Sequence, residues 1–305
     1  MRSLVSTPNG PSPAEIQEVD EPVAGADEVL LEVKAASINR GELNLLSNRP
    51  GWRPGQDVAG VVVKAAANGS GPPVGTRVVA AVEQGGWAER VAAPINRLAP
   101  LPDNVSFAAA ATLPVAGLTA LRTLRAAGPL LGLRLLVTGA SGGVGRFAVQ
   151  LGRLGGAEVT AAAASPQRSA GLPELGAAHL VHDGEEPEGT FEVVLEGVGG
   201  PSLERSLRAL ARAGVVVLYG GASGEGARVA LSSFSPGLLG RIQSFFIYET
   251  DVKTFGRDLG FLASLLGSGA LEPQIGLEVS WRDLGAAVAA LRDRKVRGKA
   301  VLLLD

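Results

Sequence analysis

The stretch Leu135–Gly145, LLVTGASGGVG, decides the fold class of this 305-residue chain. Its apolar start predicts a strand, and the glycine-rich turn opens a segment with helical periodicity. In that turn Ala140, Gly142 and Gly145 occupy the three places of a G-x-G-x-x-G fingerprint, with alanine for the first glycine. Glycine lets a pyrophosphate approach the backbone, and the helix N-terminus offers N–H groups to its charge. The stretch therefore predicts a dinucleotide-binding turn; the alternative is a glycine-rich turn of an ordinary α/β protein.

The residues around this turn alternate between strand and helix patterns. The predicted strands are Leu133–Val137, Glu158–Ala164, Glu192–Leu195 and Val215–Tyr219. A helix is predicted over Ser202–Ala213, with Gly214 placed to end it. Such alternation is typical of a doubly wound parallel sheet, so we expect an α/β fold.

The N-terminal part has a different pattern. Glu28–Ala35 alternates apolar and charged residues, as a half-buried antiparallel strand does. Val58–Val63 and Arg77–Val82 are further strand candidates, and no helical pattern separates them, which favours a small barrel or sandwich. The predicted elements near the C-terminus are a helix over Asp258–Leu266, a helix from Ser280 with Asp283 in a capping box, and a strand over Ala300–Leu304.

The end of the second α/β strand favours one cofactor. A site specific for NAD has a carboxylate about 20 residues after the glycines. Here the residues read AAAASPQR, without an acid between Val159 and Arg168. Ser165 and Arg168 suit a 2′-phosphate, so we expect NADPH. The alternative is that Arg168 only caps or solvates the next helix.

Composition excludes several classes of protein. The chain has no cysteine, and its two histidines, His179 and His182, are three residues apart. Disulfides, thiol nucleophiles and zinc sites built from distant cysteines and histidines are therefore excluded, and no metal is expected. A net charge of −2 gives no support to nucleic-acid or membrane-surface partners. The N-terminus does not read as a signal peptide, and the missing cysteine fits a cytoplasmic protein.

Motifs along nearly the whole chain resemble one family in order. They are ASINRGEL at Ala36–Leu43, GQDVAGVV at Gly55–Val62, GGWAERV at Gly85–Val91, LPVAGLTAL at Leu113–Leu121, the glycine turn, LEGVGG at Leu195–Gly200, LYGGASG at Leu218–Gly224 and RGKAVLL at Arg297–Leu303. Together they resemble the zinc-independent medium-chain reductases of the quinone oxidoreductase type. Zinc-dependent relatives carry a cysteine in the first motif and a histidine in the second, where this chain reads Ser37-Ile-Asn39 and Gly55-Gln-Asp57.

The resemblance implies a fold and a quaternary structure. A GroES-like β-rich substrate domain would cover residues 1–112 and 250–305, and a Rossmann NADP-binding domain would cover 113–249. The active site would lie in the cleft between them. A homodimer is expected, because an edge strand of the cofactor domain, here near Phe234–Tyr248, often pairs between subunits in this family.

The resemblance also implies residue roles. Pyrophosphate contacts are implied for Ser141, Gly142, Gly143 and Val144, adenosine contacts for Gly197 and Val198, and cofactor contacts for Gly220 and Lys299. Asn39 and Thr119 would flank the nicotinamide, and Phe245, Phe246 and Ile247 would cover it. Asn39 and Glu42 are the catalytic candidates. Structural alternatives stay open: a helix-start hydrogen bond for Thr119, core or subunit packing for Phe245 and Phe246, and solvent exposure or ion pairs for Glu42 and Asp57.

Two features bear on these implications. Asp183 falls where the family often has a tyrosine near the 2′-phosphate, and it would repel that group unless His182 or Arg168 compensates. With no metal ligands to polarise an alcohol, hydride transfer from NADPH to a small conjugated acceptor, a quinone or enone, is the expected reaction. The alternatives are an enoyl-thioester reductase and a catalytically silent NADPH-binding or redox-sensing protein.

Overall fold

The computed structural model describes residues 1–8, 10, 12–234 and 239–304. The strands are β1 Arg2–Ser6, β2 Ala14–Glu18, β3 Glu28–Ile38, β4 Asp57–Lys64, β5 Arg77–Ala81, β6 Arg90–Pro94, β7 Leu98–Pro100, β8 Arg134–Val137, β9 Glu158–Ala163, β10 His179–His182, β11 Phe191–Glu196, β12 Leu210–Leu218, β13 Arg241–Ser244, β14 Ile275–Ser280 and β15 Lys299–Leu303. The helices are α1 Arg40–Asn48, α2 Phe107–Ala111, α3 Leu118–Ala127, α4 Gly143–Leu154, α5 Pro166–Ser169, α6 Pro201–Arg208, α7 Phe255–Gly267 and α8 Leu284–Arg292, and a π-helical segment covers Leu113–Gly117.

The chain forms two compact units, residues 1–118 with 251–305 and residues 119–250. The divisions therefore fall at 118/119 and 250/251, against the expected 112/113 and 249/250. Every helix in the described part of the chain is too short or too polar to cross a membrane.

The unit of residues 119–250 is built on a six-stranded sheet in the order β10-β9-β8-β11-β12-β13. All neighbouring strands in it are parallel. Numbered within the unit, the order is 3-2-1-4-5-6, that of a Rossmann sheet, and it reverses between β8 and β11. Ligands bind such sheets beyond the carboxyl ends of the strands at this reversal, which is where the glycine turn follows β8. The expected α/β fold with a doubly wound parallel sheet is confirmed.

One predicted helix in this unit is too long. Helix α6 ends at Arg208, and β12 begins at Leu210, so the expected helix over 202–213 is wrong in its last five residues. Leu210 is buried in the sheet opposite Phe191 of β11. Gly214 lies within β12 rather than after a helix, and Ala213 before it has a φ of 60°. Burial against β11 overrides the helical spacing of the leucines.

The other unit is β-rich and centres on β3. Its seven-stranded sheet runs β14-β15-β3-β4-β5-β7, with β6 also paired to β3, while β1 and β2 form a separate pair. The predicted alternation holds up to Val33, and the strand then continues to Ile38 with residues 35–38 buried. This second half is buried because β4 and β15 both pair with it.

The C-terminal segment completes this sheet. β15 runs antiparallel to β3, with Ala300 opposite Ile38. That register places Lys299 beside the end of β3, where the chain enters α1. The predicted helix start at Ser280 is wrong: Ser280 Oγ accepts a hydrogen bond from Arg282 N–H and caps a single 3₁₀ turn, and α8 begins at Leu284.

Candidate functional site

The glycine turn, residues 139–145, holds helix α4 close to the end of β8. Gly142 is the N-cap of α4, with no side chain capping the helix. A Cβ on Gly145 would lie 2.5 Å from Gly139 O and 2.6 Å from Ala140 Cα, so only glycine permits this approach. The backbone N–H groups of the first helical turn and the positive end of the helix dipole are thus the fixed features of this turn, and they fit a pyrophosphate.

A cationic side chain lies at this turn. Arg168, in the short helix after β9, donates from Nε and Nη2 to Ser141 Oγ at 3.3 and 3.1 Å. Ser165 Oγ accepts from Arg168 N–H at 3.3 Å and so caps that helix. The structure therefore brings Ser141, Ser165 and Arg168 together, with the guanidinium directed toward the glycine turn.

Asp183 follows β10, at the edge of the same sheet. Its Oδ1 is 4.0 Å from Arg205 Nη2, and the carboxylate is exposed. His182 Nε2 lies 3.1 Å from Ser169 Oγ, against the end of α5. The charge on Asp183 is thus partly balanced by Arg205, a residue that sequence reasoning did not consider.

A buried carboxylate shapes the loop after β11. Glu196 is fully buried, and its Oε1 accepts hydrogen bonds from the N–H groups of Val198 and Gly199 at 2.7 and 3.0 Å. Its Oε2 accepts from the hydroxyls of Ser202 and Ser206 at 3.1 and 2.7 Å. One side chain therefore ties the loop containing Gly197 and Val198 to the start of α6. In the sequence, the feature that could have indicated Glu196 is an acid at the end of an apolar strand, directly before a glycine cluster.

The ends of β8, β11 and β12 meet beside this loop. Gly197 N–H donates to Thr138 Oγ1 at 3.0 Å, and the Tyr219 hydroxyl donates to Thr138 O at 3.3 Å. Burial raises the pKa of the Tyr219 hydroxyl, and the charge of Glu196 raises it further, so the tyrosine stays a donor. A Cβ on Gly220 would lie 2.9 Å from Gly197 O. Gly197 and Gly220 are thus adjacent at the carboxyl edge of the sheet.

The three residues expected to cover the nicotinamide follow β13. Phe245 N–H donates to Leu218 O at 2.8 Å, and Ile247 is buried. Phe246 is 59% exposed, and its ring meets that of Tyr248 edge-on at 5.1 Å. Thr119 is buried in the first turn of α3. The covering role and the nicotinamide contact stay predictions.

The β-rich unit contains a buried polar cluster, which we name the Asn39 cluster: Ser37, Asn39, Glu42, Asp57 and Lys299. Lys299 Nζ donates to Asn39 Oδ1 at 2.5 Å, to Asp57 Oδ2 at 3.0 Å and to Ile38 O at 3.0 Å. Asp57 also accepts from Ser37 Oγ at 2.7 Å and, outside the cluster, from Val115 N–H at 2.9 Å. The ion pair considered for Asp57 is therefore present, and Lys299 is its partner.

Glu42 is the second acid of the cluster. Its carboxyl group is fully buried and accepts from Asn39 N–H at 2.8 Å and Gly55 N–H at 3.0 Å. Burial raises the pKa of Glu42 to about 8, and the charge of Asp57 raises it too, while the two N–H donors and Lys299 oppose the shift. At neutral pH the Glu42 carboxyl is therefore mostly protonated, and the charged members of the Asn39 cluster are Asp57 and Lys299.

Two family models match parts of the chain. The model described as alcohol dehydrogenase GroES-like domain matches residues 25–103, and that described as zinc-binding dehydrogenase matches residues 175–302. The zinc in the second description finds no fitting ligands: the described residues contain no group of three or more His, Cys, Asp or Glu that could hold a metal, and the sequence has no cysteine.

Curated relatives and solved structures give a more specific match. Mouse quinone oxidoreductase is 30% identical over 233 residues, 69% of this chain and 70% of that protein. Tomato (Solanum lycopersicum) 2-methylene-furan-3-one reductase is 33% identical over 229 residues, 68% of this chain and 58% of that protein. The structure of Pseudomonas syringae pv. Tomato DC3000 quinone oxidoreductase superposes with a TM-score of 0.88 at 26% identity, covering 99% of this chain and 100% of that one.

A mycobacterial protein complexed with NADPH has the same fold, with a TM-score of 0.87 at 24% identity over 99% of this chain and 100% of that one. Coverage of some curated relatives is partial, since this chain spans from 12% to 62% of their lengths. The match to mouse quinone oxidoreductase spans most of both proteins, and the fold agrees with it. The chain belongs to the quinone oxidoreductase-like family of medium-chain dehydrogenases/reductases.

Proposed function

We propose that this protein is an NADPH-dependent, zinc-independent oxidoreductase that reduces a quinone or another conjugated carbonyl compound. The observation that carries the proposal is the glycine turn at the reversal point of the parallel sheet, with an uncapped helix N-terminus and Arg168 beside it. The mycobacterial relative complexed with NADPH and the relatives named for quinones and a furanone support it.

The proposed cofactor site uses residues of one unit. Ser141, Gly142, Gly143 and Val144 would hold the pyrophosphate, Ser165 and Arg168 the 2′-phosphate, and Gly197, Val198 and Gly220 the adenosine side. Bound NADPH supplies a hydride from C4 of its nicotinamide. The protein's own contribution would be to position the cofactor. The rigid glycine turn and the loop held by Glu196 would determine where it binds.

The proposed class of substrate follows from the catalytic groups that the protein can offer. Because the described residues contain no cluster of side chains that could hold a metal, the reaction that needs the least catalytic help from the protein is hydride transfer to an electron-poor conjugated system. Negative charge then develops on the acceptor oxygen, and a buried N–H donor can stabilise it. Asn39 Nδ2 is such a donor: it is buried and has no hydrogen-bond partner among the described residues.

A homodimer and a cytoplasmic location are part of the same proposal. The missing cysteine is compatible with a reducing compartment. The dimer is proposed to form along β13, an edge of the six-stranded sheet. The expected edge segment 234–248 includes residues 235–238, which lie outside the described residues.

The test is NADPH oxidation with a panel of acceptors: 1,4-benzoquinone, 9,10-phenanthrenequinone, an enone and a crotonyl thioester. We expect turnover with the quinones and the enone. Turnover with the thioester alone would favour an enoyl-thioester reductase. Tight NADPH binding without oxidation by any acceptor would contradict the enzymatic proposal and favour a silent NADPH-binding protein.

A further inference from the structure

The amide of Asn39 has a fixed orientation. Its side chain is 9% exposed, and Oδ1 accepts the hydrogen bond from Lys299 Nζ at 2.5 Å. The reversed amide would place an NH₂ group against an ammonium, two groups that only donate, so the contact with Lys299 settles which atom is oxygen. Nδ2 is thereby left as a buried donor without an acceptor among the described residues. Buried donors are rarely left unpaired, so this donor calls for an acceptor that the protein itself does not supply, such as an oxygen of a ligand or of an ordered water.

Lys299 has no donor left for a ligand. An ammonium carries three N–H groups, and all three are directed to protein oxygens, on Ile38, Asn39 and Asp57. The residue is 3% exposed. A direct contact with the cofactor, which the family resemblance implies, would require one of these hydrogen bonds to break.

Asp57 holds Lys299 in turn. Its Oδ2 accepts from both Lys299 and Ser37, and its Oδ1 accepts from the N–H of Val115 in the π-helical segment. The ammonium is therefore anchored by strands β3 and β4 and by a segment far away in sequence. A buried ion pair is weak evidence for stability, whereas its hydrogen bonds here fix where the ammonium lies.

We propose that Lys299 is a positioning residue, whose ammonium, anchored on Asp57, holds the Asn39 amide so that Nδ2 faces the acceptor's carbonyl oxygen. The inference rests on the proposed function for the reaction itself. It differs from a cofactor contact in a measurable way: loss of Lys299 should slow hydride transfer and leave NADPH affinity unchanged.

The kinetic experiment compares wild type with Asn39→Ala, Lys299→Met and the pair Asp57→Asn/Lys299→Met, which leaves no unpaired buried charge. We expect kcat with an enone to fall about 100-fold in each, the effect of removing one oxyanion donor. Adding Asn39→Ala to the pair should cause no further fall, because both changes remove the same donor. The Kd for NADPH should change by less than about twofold in every variant. Unchanged kcat, additive losses, or a Kd that rises with the loss of Lys299 would overturn the inference.

A second measurement does not depend on turnover. In protein labelled with ¹⁵N-asparagine, the side-chain NH₂ signals of Asn39, identified by their loss in Asn39→Ala, should shift or broaden in the Asp57→Asn/Lys299→Met pair. An unaltered Asn39 signal would overturn the positioning role even if the protein reduces enones. If none of the acceptors supports NADPH oxidation by wild type, the proposed function fails, and the role of Asn39 and Lys299 in the reaction fails with it. The NMR result still decides whether Lys299 orients the Asn39 amide.

Discussion

At the scale of single residues, Glu42 of the Asn39 cluster makes the stability of the β-rich unit depend on pH. Asp57 is paired with Lys299, and Glu42 is surrounded by protein with a pKa raised to about 8 from an ordinary value of 4.5. At a pH between the ordinary pKa of 4.5 and the raised pKa of about 8, Glu42 keeps its proton in the folded protein and loses it in the unfolded chain. Stability therefore falls as pH rises through this window, and the loss is complete above the folded pKa.

We predict that Glu42→Gln, which has no proton to lose, removes this dependence. Between about pH 5.5 and about pH 7.5 the unfolding free energy of wild type should fall relative to the variant by at most roughly 1.4 kcal/mol per pH unit. The three tryptophans, Trp52, Trp87 and Trp281, all lie in the β-rich unit, so their fluorescence during urea unfolding reports on it. Parallel pH profiles for the two proteins would contradict the raised pKa.

Arg168 is the residue proposed to make the protein prefer NADPH over NADH. Arg168→Ala should weaken NADPH binding roughly 30-fold, the value of a hydrogen-bonded charge, and change NADH affinity little. Cofactor fluorescence titration measures both. Arg153→Ala is the matched control, because it removes an arginine from the last turn of α4, at the opposite end from the glycine turn. Equal weakening of both cofactors by Arg168→Ala would show that the residue does not read the 2′-phosphate.

At the scale of elements, the loop after β11 depends on the carboxylate of Glu196. Glu196→Ala should destabilise the protein by roughly 3 kcal/mol, because two backbone N–H groups lose their acceptor in a buried site. Glu196→Gln should cost less than half as much, because its oxygen can serve the backbone while Ser202 and Ser206 accept from its NH₂ group. Hydrogen exchange of the Val198 and Gly199 amides measures how much stability each variant has lost at this loop. Full protection of both amides in the alanine variant would refute the assignment.

Periodicity predicted most elements of the sheets because burial imposes it on each strand and helix separately. The glycine turn was predictable for a similar reason, since a tight turn and a close helix restrict the residue types locally. The end of α6 was not, because a short apolar run such as Leu210-Ala211 fits a helix or a buried strand equally well. The contact of Lys299 with Asn39 joins residues 260 positions apart, and only the pairing of β15 with β3 creates it.

At the scale of the whole molecule, the two units divide the chemistry. The unit of residues 119–250 contains the proposed NADPH contacts, and the β-rich unit contains the Asn39 cluster, which is proposed to act on the acceptor. The absence of cysteine can now be related to particular positions in the β-rich unit. Residues 37–39 and 55–57, which by motif resemblance match the ligand positions of zinc-dependent relatives, supply Ser37, Asn39 and Asp57 to a hydrogen-bonded network around Lys299.

The proposed dimer gives a prediction at this scale. Ile242 on β13 is 37% exposed, and Leu180 on β10, the opposite edge of the same sheet, is 36% exposed. We expect wild type to have about twice the chain mass of 31.0 kDa by light scattering. Ile242→Lys should dissociate it, because like charges would meet across the two-fold axis, and Leu180→Lys should not. A monomeric wild type, or dissociation only by Leu180→Lys, would contradict pairing along β13.

Deuterium transfer from NADPH to a conjugated carbonyl would show whether the proposed zinc-independent hydride transfer occurs. Chelator-treated protein is given an enone and NADPH deuterated at the transferred C4 position, and the product is analysed by mass spectrometry. We expect one deuterium on the β-carbon of the reduced product and a rate unchanged by chelation. A product without deuterium, or a rate lost on chelation and restored by zinc, would contradict it.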